Sequence, residues 1–336
     1  MEELPRLKCR ICGNFQPISR KIPWCGCGGV FDLDYIPSGL EDILPVRTRV
    51  SLGEPITPIA SLTIAGRSVD AKLEYLLPTG SFKDRGAAVL VGAMKDAGVD
   101  RFMEDSSGNA AASISAYAAR AGLRCEIYCP SSASPSKLKQ VERTGAVIHR
   151  IDGPRDNTTA ALKSQIGEVF YASHNWHPLF LHGTKTMAYE IAEQYHWNLP
   201  QHIVAPTGGG SVLLGLHLGF SELIRMRRLS EMPRLHAVQA EACAPLVHAE
   251  VNPKPSLAEG ILTSKPPRLA MLKQVVDSVA VVTEDEIKEG FFKLGREGFN
   301  AEPTSAVVVP AVSKLSIPRS ESILVILTGS GLKFSG

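Results

Sequence analysis

The stretch His202-Ile-Val-Ala-Pro-Thr-Gly-Gly-Gly-Ser211 joins an apolar run to three consecutive glycines, and a long helical pattern follows it. An apolar run of this kind predicts a β-strand covered on both faces, as in a parallel sheet flanked by helices. Successive glycines let several backbone N–H groups converge on one anion. The order of strand, glycines and helix therefore predicts an α/β fold with a phosphate site at the carboxyl end of a strand, and a flexible turn is the alternative.

Strand candidates alternate with helical patterns along most of the chain. The strand candidates are Cys125–Cys129, Ala146–Ile151, His202–Ala205, Leu235–Gln239, Val279–Val282 and Ile323–Leu327. The helix candidates are Asn109–Ala121, Ser136–Arg143, Thr184–Tyr195 and Asp285–Glu297. Strands that alternate with helices of this length predict a mostly parallel α/β sheet. Because the chain has no GxGxxG fingerprint, a nicotinamide dehydrogenase is disfavoured.

Composition favours a globular protein that acts on a small molecule. Of its 336 residues, 44% are hydrophobic, enough for a core split over two subdomains. A formal net charge of +2 gives no electrostatic basis for binding nucleic acid or an anionic membrane surface. No apolar stretch approaches the roughly 20 residues of a membrane helix, and the first residues do not resemble a secretory signal. We therefore expect a cytoplasmic protein without nucleic-acid or membrane partners.

Three further stretches carry groups that suit chemistry. In Pro78-Thr-Gly-Ser-Phe-Lys-Asp-Arg-Gly86, Lys83 lies between a glycine turn and a helical run, and partial burial makes a lysine a nucleophilic amine. The stretch Asp105-Ser-Ser-Gly-Asn-Ala110 precedes an Ala-rich helix, whose first N–H groups suit a carboxylate. The stretch Leu327-Thr-Gly-Ser-Gly-Leu-Lys333 offers a hydroxyl for a ring nitrogen. A surface lysine, a helix cap and a turn are the alternatives, but with the glycine stretch these groups form a complete set for pyridoxal phosphate and an amino acid.

Four of the seven cysteines lie near the N-terminus, as Cys9, Cys12, Cys25 and Cys27. Two turns with paired cysteines can form a ribbon that holds zinc by four thiolates. The second pair is Cys-x-Cys, which is tighter than the usual Cys-x-x-Cys. A glycine-rich knuckle without a metal is therefore the alternative.

These stretches, in this order, resemble the fold-type II pyridoxal-phosphate enzymes, and among them the threonine synthases. The resemblance rests on the N-terminal cysteine pairs, Gly80-Ser-Phe-Lys-Asp-Arg-Gly86, Ser106-Ser-Gly-Asn-Ala-Ala-Ala-Ser113, Gly183-Thr-Lys-Thr186 and Thr328-Gly-Ser-Gly-Leu-Lys333. It implies a fold like that of the tryptophan synthase β chain, with two open, mostly parallel α/β subdomains, a cofactor between them and a small cysteine ribbon. The implied parts are a cysteine knuckle over 1–37, a larger cofactor-binding subdomain over 38–86 and 193–336, and a smaller mobile subdomain over 87–192. A homodimer is expected by analogy.

The resemblance also implies a role for each matched residue. Lys83 is the catalytic residue and holds the cofactor as a Schiff base, Asn109 hydrogen-bonds the phenolic oxygen of the cofactor, and Thr328 faces its ring nitrogen. The residues implied to cradle the cofactor phosphate are Thr207, Gly208, Gly209, Gly210 and Ser211. The residues implied to approach the substrate carboxylate are Ser106, Ser107 and Ala110.

The implied reaction is the conversion of O-phosphohomoserine and water to threonine and phosphate, but one part of the pattern departs from it. Threonine synthases hold the substrate phosphate with a Ser and an Arg just before the Gly-x-Lys-Thr stretch, where this chain has Asn175 and Phe180. Residues that can compensate for the missing arginine are His174, His177, His182 and Lys185. The alternatives are β-elimination or β-replacement on serine, threonine or O-phosphoserine, as in dehydratases or cysteate synthases, and a small-molecule-binding protein without catalysis.

Overall fold

The computed structural model describes residues 4–133, 135–153 and 155–334. The chain divides into two compact units. The first unit comprises the residues up to Glu54 and the segment Lys83–Thr184. The second unit comprises Pro55–Phe82 and the residues from Lys185 onward.

Strands and helices alternate along both units. The strands are β1 (Arg6–Cys9), β2 (Phe15–Pro17), β3 (Phe31–Asp34), β4 (Ile59–Ile64), β5 (Arg67–Leu73), β6 (Arg101–Glu104), β7 (Arg124–Pro130), β8 (Val147–Ile151), β9 (Phe170–Tyr171), β10 (His202–Pro206), β11 (Arg234–Ala240), β12 (Ser278–Val282) and β13 (Ile323–Leu327). The helices are α1 (Lys83–Asp96), α2 (Asn109–Ala121), α3 (Pro135–Arg143), α4 (Arg155–Lys163), α5 (Pro178–Thr184), α6 (Thr186–Gln194), α7 (Ser211–Arg225), α8 (Leu269–Val275), α9 (Glu284–Arg296), α10 (Pro303–Ala306) and α11 (Val308–Lys314). Within the described residues, no helix is both long and apolar enough to cross a bilayer.

The first unit is built on a four-stranded parallel sheet with the order β8-β7-β6-β9. Helix α1 packs against α2 and α5. A separate antiparallel ribbon, β2-β1-β3, contributes Leu7 and Phe31 to the hydrophobic core that also contains Leu90 of α1. The cysteine ribbon is therefore part of this unit's core.

The second unit is built on a six-stranded sheet with the order β12-β11-β10-β13-β5-β4. All neighbouring pairs are parallel except β4 and β5, so the sheet has one antiparallel edge. Every residue of β10 and β13 is buried, as expected for central strands covered by helices on both faces. The carboxyl ends of these two neighbouring strands therefore open at the same edge of the sheet.

The predicted fold class, α/β with mostly parallel sheets and an N-terminal cysteine ribbon, is confirmed. The predicted bounds of the strand Ile323–Leu327 and the helix Asn109–Ala121 match the structure residue for residue. The other predicted elements differ by one residue at one or both ends, which is where the hydrogen bonding of an element becomes irregular. The exception is the predicted helix Thr184–Tyr195, because Thr184 ends α5 and α6 begins at Thr186.

The three parts that the sequence suggested, with their bounds, stay a prediction. The ribbon predicted as a separate part over 1–37 shares a core with α1 and α2, and it belongs to the first unit. The second segment of the first unit begins at Lys83, the first residue of a helix that packs on α2 and α5. The second segment of the second unit begins at Lys185, and its helix α6 packs on α7. Which part is mobile stays a prediction.

Candidate active site

Lys83 is the first residue of α1 and follows a turn at Gly80. Gly80 has φ +80°, and a Cβ there would lie 2.8 Å from a neighbouring side-chain atom, so the turn requires glycine. The Phe82 N–H donates to the Thr328 carbonyl at 3.0 Å, and the Ser330 N–H donates to the Gly80 carbonyl at 2.9 Å. The residues just before Lys83 are therefore bound to the strand end that carries Thr328.

The Lys83 side chain lies against an aromatic ring of the first unit. Its Nζ is 5.6 Å from the centroid of Phe180, which is fully buried. A Cβ at Gly86 would approach the Phe180 ring to 2.5 Å, so this glycine of the motif provides the space for the ring. The ring of Phe180 therefore forms one side of the space around the Lys83 amine, the group that can act as a nucleophile.

The predicted carboxylate site is the N-terminus of α2. The helix begins at Asn109, and its N-cap residue is Gly108, which has no side chain to cap the first turn. The first N–H groups of a helix have no partner within the helix and suit an anion. Ser106 and Ser107 precede the helix and Ala110 lies in its first turn, and all three are half-buried or buried.

A buried carboxylate holds the starts of α1 and α2 together. Asp84 accepts a hydrogen bond from the Ser113 hydroxyl at 2.6 Å, and both side chains are fully buried. The first unit therefore brings the amine of Lys83 and the first turn of α2 into one neighbourhood. Sequence reasoning assigned no role to Ser113.

The glycine stretch forms a tight turn between β10 and α7. A Cβ at Gly208 would lie 2.8 Å from the Ile261 Cα, and a Cβ at Gly210 would lie 2.4 Å from the Leu272 side chain. Gly210 also has φ +85°, which side chains rarely adopt. The Thr207 hydroxyl donates to the carbonyl of Ala205 at 2.9 Å. The turn thus places the N-terminus of the 15-residue helix α7 at the carboxyl edge of the sheet.

Thr328 follows β13 at the same edge of the sheet. Its Oγ1 lies 3.1 Å from the Oγ of Ser305, and the Gly329 N–H donates to that Oγ at 3.0 Å. All three residues are buried. The second unit therefore brings the predicted phosphate and ring-nitrogen residues to adjacent strand ends. Ser305 was missed because a serine in a short helical segment gives no sequence signal.

Lys185 does not offer the compensating charge that the sequence suggested for a substrate phosphate. Its Nζ lies 2.8 Å from Glu222 Oε1, and the Lys185 side chain is fully buried. Tyr189 donates to Glu222 Oε2 at 2.7 Å. The charge of Lys185 is therefore used inside the second unit, in a buried ion pair between α6 and α7.

Among the predicted compensating histidines, His174 has a carboxylate partner. Its Nδ1 lies 2.5 Å from Glu104 Oε1, and Glu104 is fully buried. The His174 ring also contacts Phe180 edge-on, with 5.9 Å between centroids. Nothing in the sequence singled out Glu104, because a glutamate at the end of an apolar strand is typical of the start of a loop.

The four N-terminal cysteines come together in the ribbon. Their sulfur atoms all lie within 4.8 Å of one another. The Sγ atoms of Cys9 and Cys27, and those of Cys12 and Cys25, are each 3.5 Å apart, too far for a disulfide. The grouping of four thiols that the sequence suggested is therefore present.

Comparison with known proteins relates the chain to a family of cofactor-dependent enzymes. The family described as pyridoxal-phosphate dependent enzyme matches residues 50–329. Threonine synthase from Methanocaldococcus jannaschii is 29% identical over 97% of this chain and 92% of its own length. Threonine synthase from a Bacillus species is 31% identical over 86% of this chain and 87% of its own length.

Solved structures with the same fold carry several different names. Maize serine racemase aligns with a TM-score of 0.71 at 22% identity, over 84% of this chain and 90% of its own. An O-acetylserine dependent cystathionine beta-synthase from Helicobacter pylori aligns with a TM-score of 0.70 at 20% identity, over 85% of this chain and 94% of its own. At these identities the likeness establishes the fold alone.

Proposed function

We propose, on the premise that this chain belongs to the family of pyridoxal-phosphate dependent enzymes, that it breaks a side-chain carbon–oxygen bond of an amino acid and anchors its cofactor on Lys83. The observation that carries this proposal is the position of Lys83, at the start of a helix and beside the ring of Phe180. Bound pyridoxal phosphate acts as an electron sink for a carbanion at the substrate Cα.

The residues of the second unit fit the cofactor's polar groups. The first turn of α7 presents N–H groups at the end of Thr207–Ser211, and Gly208 and Gly210 have no room for a side chain. Such a loop suits a phosphate, which is recognised by N–H donors. The Thr328 hydroxyl, held by Ser305, suits a ring nitrogen.

The residues of the first unit fit the amino acid. The amine of Lys83 takes the Cα proton as general base and can return it later. The N–H groups at Ser106, Ser107 and Ala110 bind the substrate carboxylate, and Asn109 hydrogen-bonds the cofactor's phenolic oxygen. The hydrogen bond from Ser113 to Asp84 holds the start of α1, which carries Lys83, next to the start of α2.

Two leaving groups remain candidates. The threonine synthases among the relatives support a phosphate ester, O-phosphohomoserine, as substrate. Phe180 and the buried pair of Lys185 with Glu222 favour the second candidate, a β-elimination or β-replacement on serine or threonine. A cytoplasmic location and a homodimer stay predictions.

The experiment compares Lys83→Ala with Lys95→Ala in the cofactor-loaded protein. Lys95 lies in the last turn of the same helix and donates to the carbonyl of Ala121 at 3.1 Å, so its loss leaves the start of α1 intact. We expect the wild type and Lys95→Ala to show visible cofactor absorbance and to release phosphate or ammonia from one of O-phosphohomoserine, O-phosphoserine, serine and threonine. Lys83→Ala should lose both signals. Unchanged absorbance in Lys83→Ala would contradict the proposal.

We also propose that Cys9, Cys12, Cys25 and Cys27 hold one zinc ion. Tetrahedral zinc with Zn–S distances of about 2.3 Å needs sulfurs about 3.8 Å apart, close to the spacing of these four. The Ile11 N–H donates to the Cys9 sulfur at 3.4 Å, as suits a thiolate ligand. A Cβ at Gly29 would lie 2.7 Å from that sulfur, so the glycine leaves room for the cluster.

Metal analysis of the purified protein tests the zinc proposal. We expect one equivalent of zinc, lost in Cys12→Ser together with several degrees of melting temperature, because metal binding adds directly to folding stability. Cys243→Ser is the control, since Cys243 is buried in the second unit. Protein that contains no zinc after expression in zinc-supplemented medium would refute this proposal and leave the cofactor proposal untouched.

A further inference from the structure

His174 and Glu104 form a buried pair at the carboxyl edge of the first unit's parallel sheet. Glu104 ends β6, and His174 comes shortly after β9, the neighbouring strand. His174 Nδ1 lies 2.5 Å from Glu104 Oε1, and the His174 backbone N–H donates to Glu104 Oε2 at 3.3 Å. Because an ionised carboxylate only accepts hydrogen bonds, Nδ1 carries the proton in this pair, and Nε2 points away from Glu104.

Phe180 connects this pair to the amine. The ring of Phe180 contacts the His174 ring edge-on at 5.9 Å, and Lys83 Nζ lies 5.6 Å from the same ring. Phe180 is fully buried and fixed in place by its approach to Gly86, so the side chains that flank it have defined positions. An imidazole and the amine that reacts at Cα therefore lie against one rigid ring.

The side chains at and near the position of the missing arginine do not provide the positive charge that a phosphate leaving group needs. Phe180 has no charge where the threonine synthase pattern has arginine, and the charge of Lys185 is neutralised by Glu222. Glu104 adds a buried carboxylate beside His174. The pair therefore has no net charge when the imidazole is protonated and a negative charge when it is not. A phosphate dianion is bound by clustered positive charge, which this pair does not provide.

The same pair suits a hydroxyl leaving group. A phosphate departs as a stable anion, whereas hydroxide is a poor leaving group and needs a proton as its bond to carbon breaks. A histidine whose Nδ1–H is bound by a carboxylate is stabilised in its protonated form and can supply that proton from Nε2.

We infer that His174, held by Glu104, is the general acid for a leaving hydroxyl, and that the substrate class is the β-hydroxy amino acids. This inference rests on the proposed function. Lys83 takes the Cα proton, and the electrons of that bond form the Cα–Cβ double bond. The Cβ–O bond breaks with its electron pair on oxygen, and the Nε2 proton of His174 passes to that oxygen to form water. Glu104 stabilises the imidazolium before the transfer and is a positioning residue.

The test compares two substrates that differ only in whether the leaving group needs a proton. L-Serine loses water and needs an acid, whereas β-chloro-L-alanine loses chloride and does not. In the cofactor-loaded protein, His174→Asn should lower kcat/KM for serine by roughly 100-fold or more, the ordinary loss for a general acid. The value for β-chloroalanine should change less than about threefold. A merely structural role for His174 would slow both substrates alike.

Two controls accompany the test. His149→Asn removes another histidine bound to a glutamate of the same sheet, since His149 Nε2 lies 2.9 Å from Glu126 Oε2 on β7 and β8. It should leave the ratio of the two substrates unchanged. Serine affinity, measured by titrating the cofactor's visible absorbance, should also be unchanged in His174→Asn, because the acid acts on the breaking bond. Glu104→Gln should reduce serine turnover with a smaller effect than His174→Asn.

The outcomes separate the inference from the function on which it rests. If wild type eliminates chloride from β-chloroalanine but not water from serine or threonine, the cofactor proposal stands and the role of His174 is wrong. The role of His174 is equally wrong if His174→Asn slows both substrates to the same extent, or if O-phosphohomoserine is the preferred substrate. If neither serine nor β-chloroalanine reacts and no cofactor absorbance forms, both proposals fail.

Discussion

The two units carry predicted site residues of different kinds. In the second unit, the loop Thr207–Ser211 offers backbone N–H groups, and a Cβ added at Gly208 or Gly210 would lie within 3 Å of a neighbouring atom. In the first unit, a row of side chains joins the N–H groups at the start of α2, with Lys83, Phe180, His174 and Glu104 in contact one after another. A backbone cradle tolerates little change, because any side chain fills it. A side-chain pocket changes its ligand with a single substitution.

This difference explains why the sequence predicts the cofactor more readily than the substrate. The glycine loop and the lysine motif keep the pattern of the family, so the cofactor was predicted from them. The position of the expected arginine holds Phe180, and the partner of His174 comes from a strand without any motif. Substrate specificity therefore depends on residues that no short motif contains.

The largest expected effect comes from removing one partner of the buried pair of Lys185 and Glu222. Glu222→Ala leaves the fully buried Lys185 ammonium without its carboxylate and should lower the free energy of unfolding by about 3–5 kcal/mol. Urea denaturation measures this loss. Glu289→Ala, on an exposed face of α9, should change stability by no more than about 0.5 kcal/mol.

Lys83→Ala should affect activity much more than stability, in contrast to the loss of the carboxylate that pairs with Lys185. It should abolish turnover and lower the unfolding free energy by far less than Glu222→Ala, because Lys83 lies at an aromatic ring and is only partly buried. Equal losses of stability in the two variants would contradict the division into a structural and a reactive lysine.

The second effect concerns the backbone cradle. Gly208→Ala places a Cβ 2.8 Å from the Ile261 Cα, so the loop must shift and its N–H groups move off the phosphate. We expect cofactor affinity to fall by roughly 10- to 100-fold, the loss of one hydrogen bond to a charged group. Titration of the apoprotein with pyridoxal phosphate measures it. Gly295→Ala, where a Cβ meets open space, should retain full affinity.

A smaller effect is expected at Thr328. Removing its hydroxyl in Thr328→Ala deletes a single neutral hydrogen bond and should weaken cofactor binding by about fivefold. Thr328→Ser keeps the hydroxyl and its contact with Ser305, and should bind as the wild type does. The same titration distinguishes them, and equal affinities for the alanine and serine variants would show that the hydroxyl does not contact the ring.

The smallest effect lies away from the site, at His236 in the second unit. Burial lowers the pKa of His236 to about 4, and its ring nitrogens contact His202 at 2.7 Å and Ser278 at 2.6 Å. The unfolded chain takes up this proton near pH 6.5, and the folded chain takes it up only near pH 4. The free energy of unfolding should therefore fall as the pH drops from about 6.5 towards 4.

Thermal melting at pH 7 and pH 5 tests the direction of this pH dependence. The melting temperature of the wild type should drop by a few degrees more than that of His236→Gln, which cannot take up the proton. An equal drop in both proteins would assign the pH dependence to other groups.

Local patterns in the sequence were sufficient to predict the fold class, the cofactor and the enzyme class. The apolar strand Ile323–Leu327 and the Ala-rich helix that begins at Asn109 follow from local sequence patterns, and the comparisons confirm the family and a pyridoxal-phosphate-dependent lyase. The positions of Lys83 and the glycine loop were readable because each depends on residues that are adjacent in the chain.

Which residues share a core, and which charges are already paired, became clear only in the folded chain. The ribbon joins the first unit, Lys185 is bound by Glu222, and His174 meets Glu104 across two neighbouring strands. Lys185 and Glu222 lie 37 residues apart in the sequence, and Glu104 and His174 lie 70 residues apart, so no local pattern links the partners of either pair. Such contacts depend on how strands are ordered in a sheet and how helices pack, and packing is a property of the folded chain as a whole.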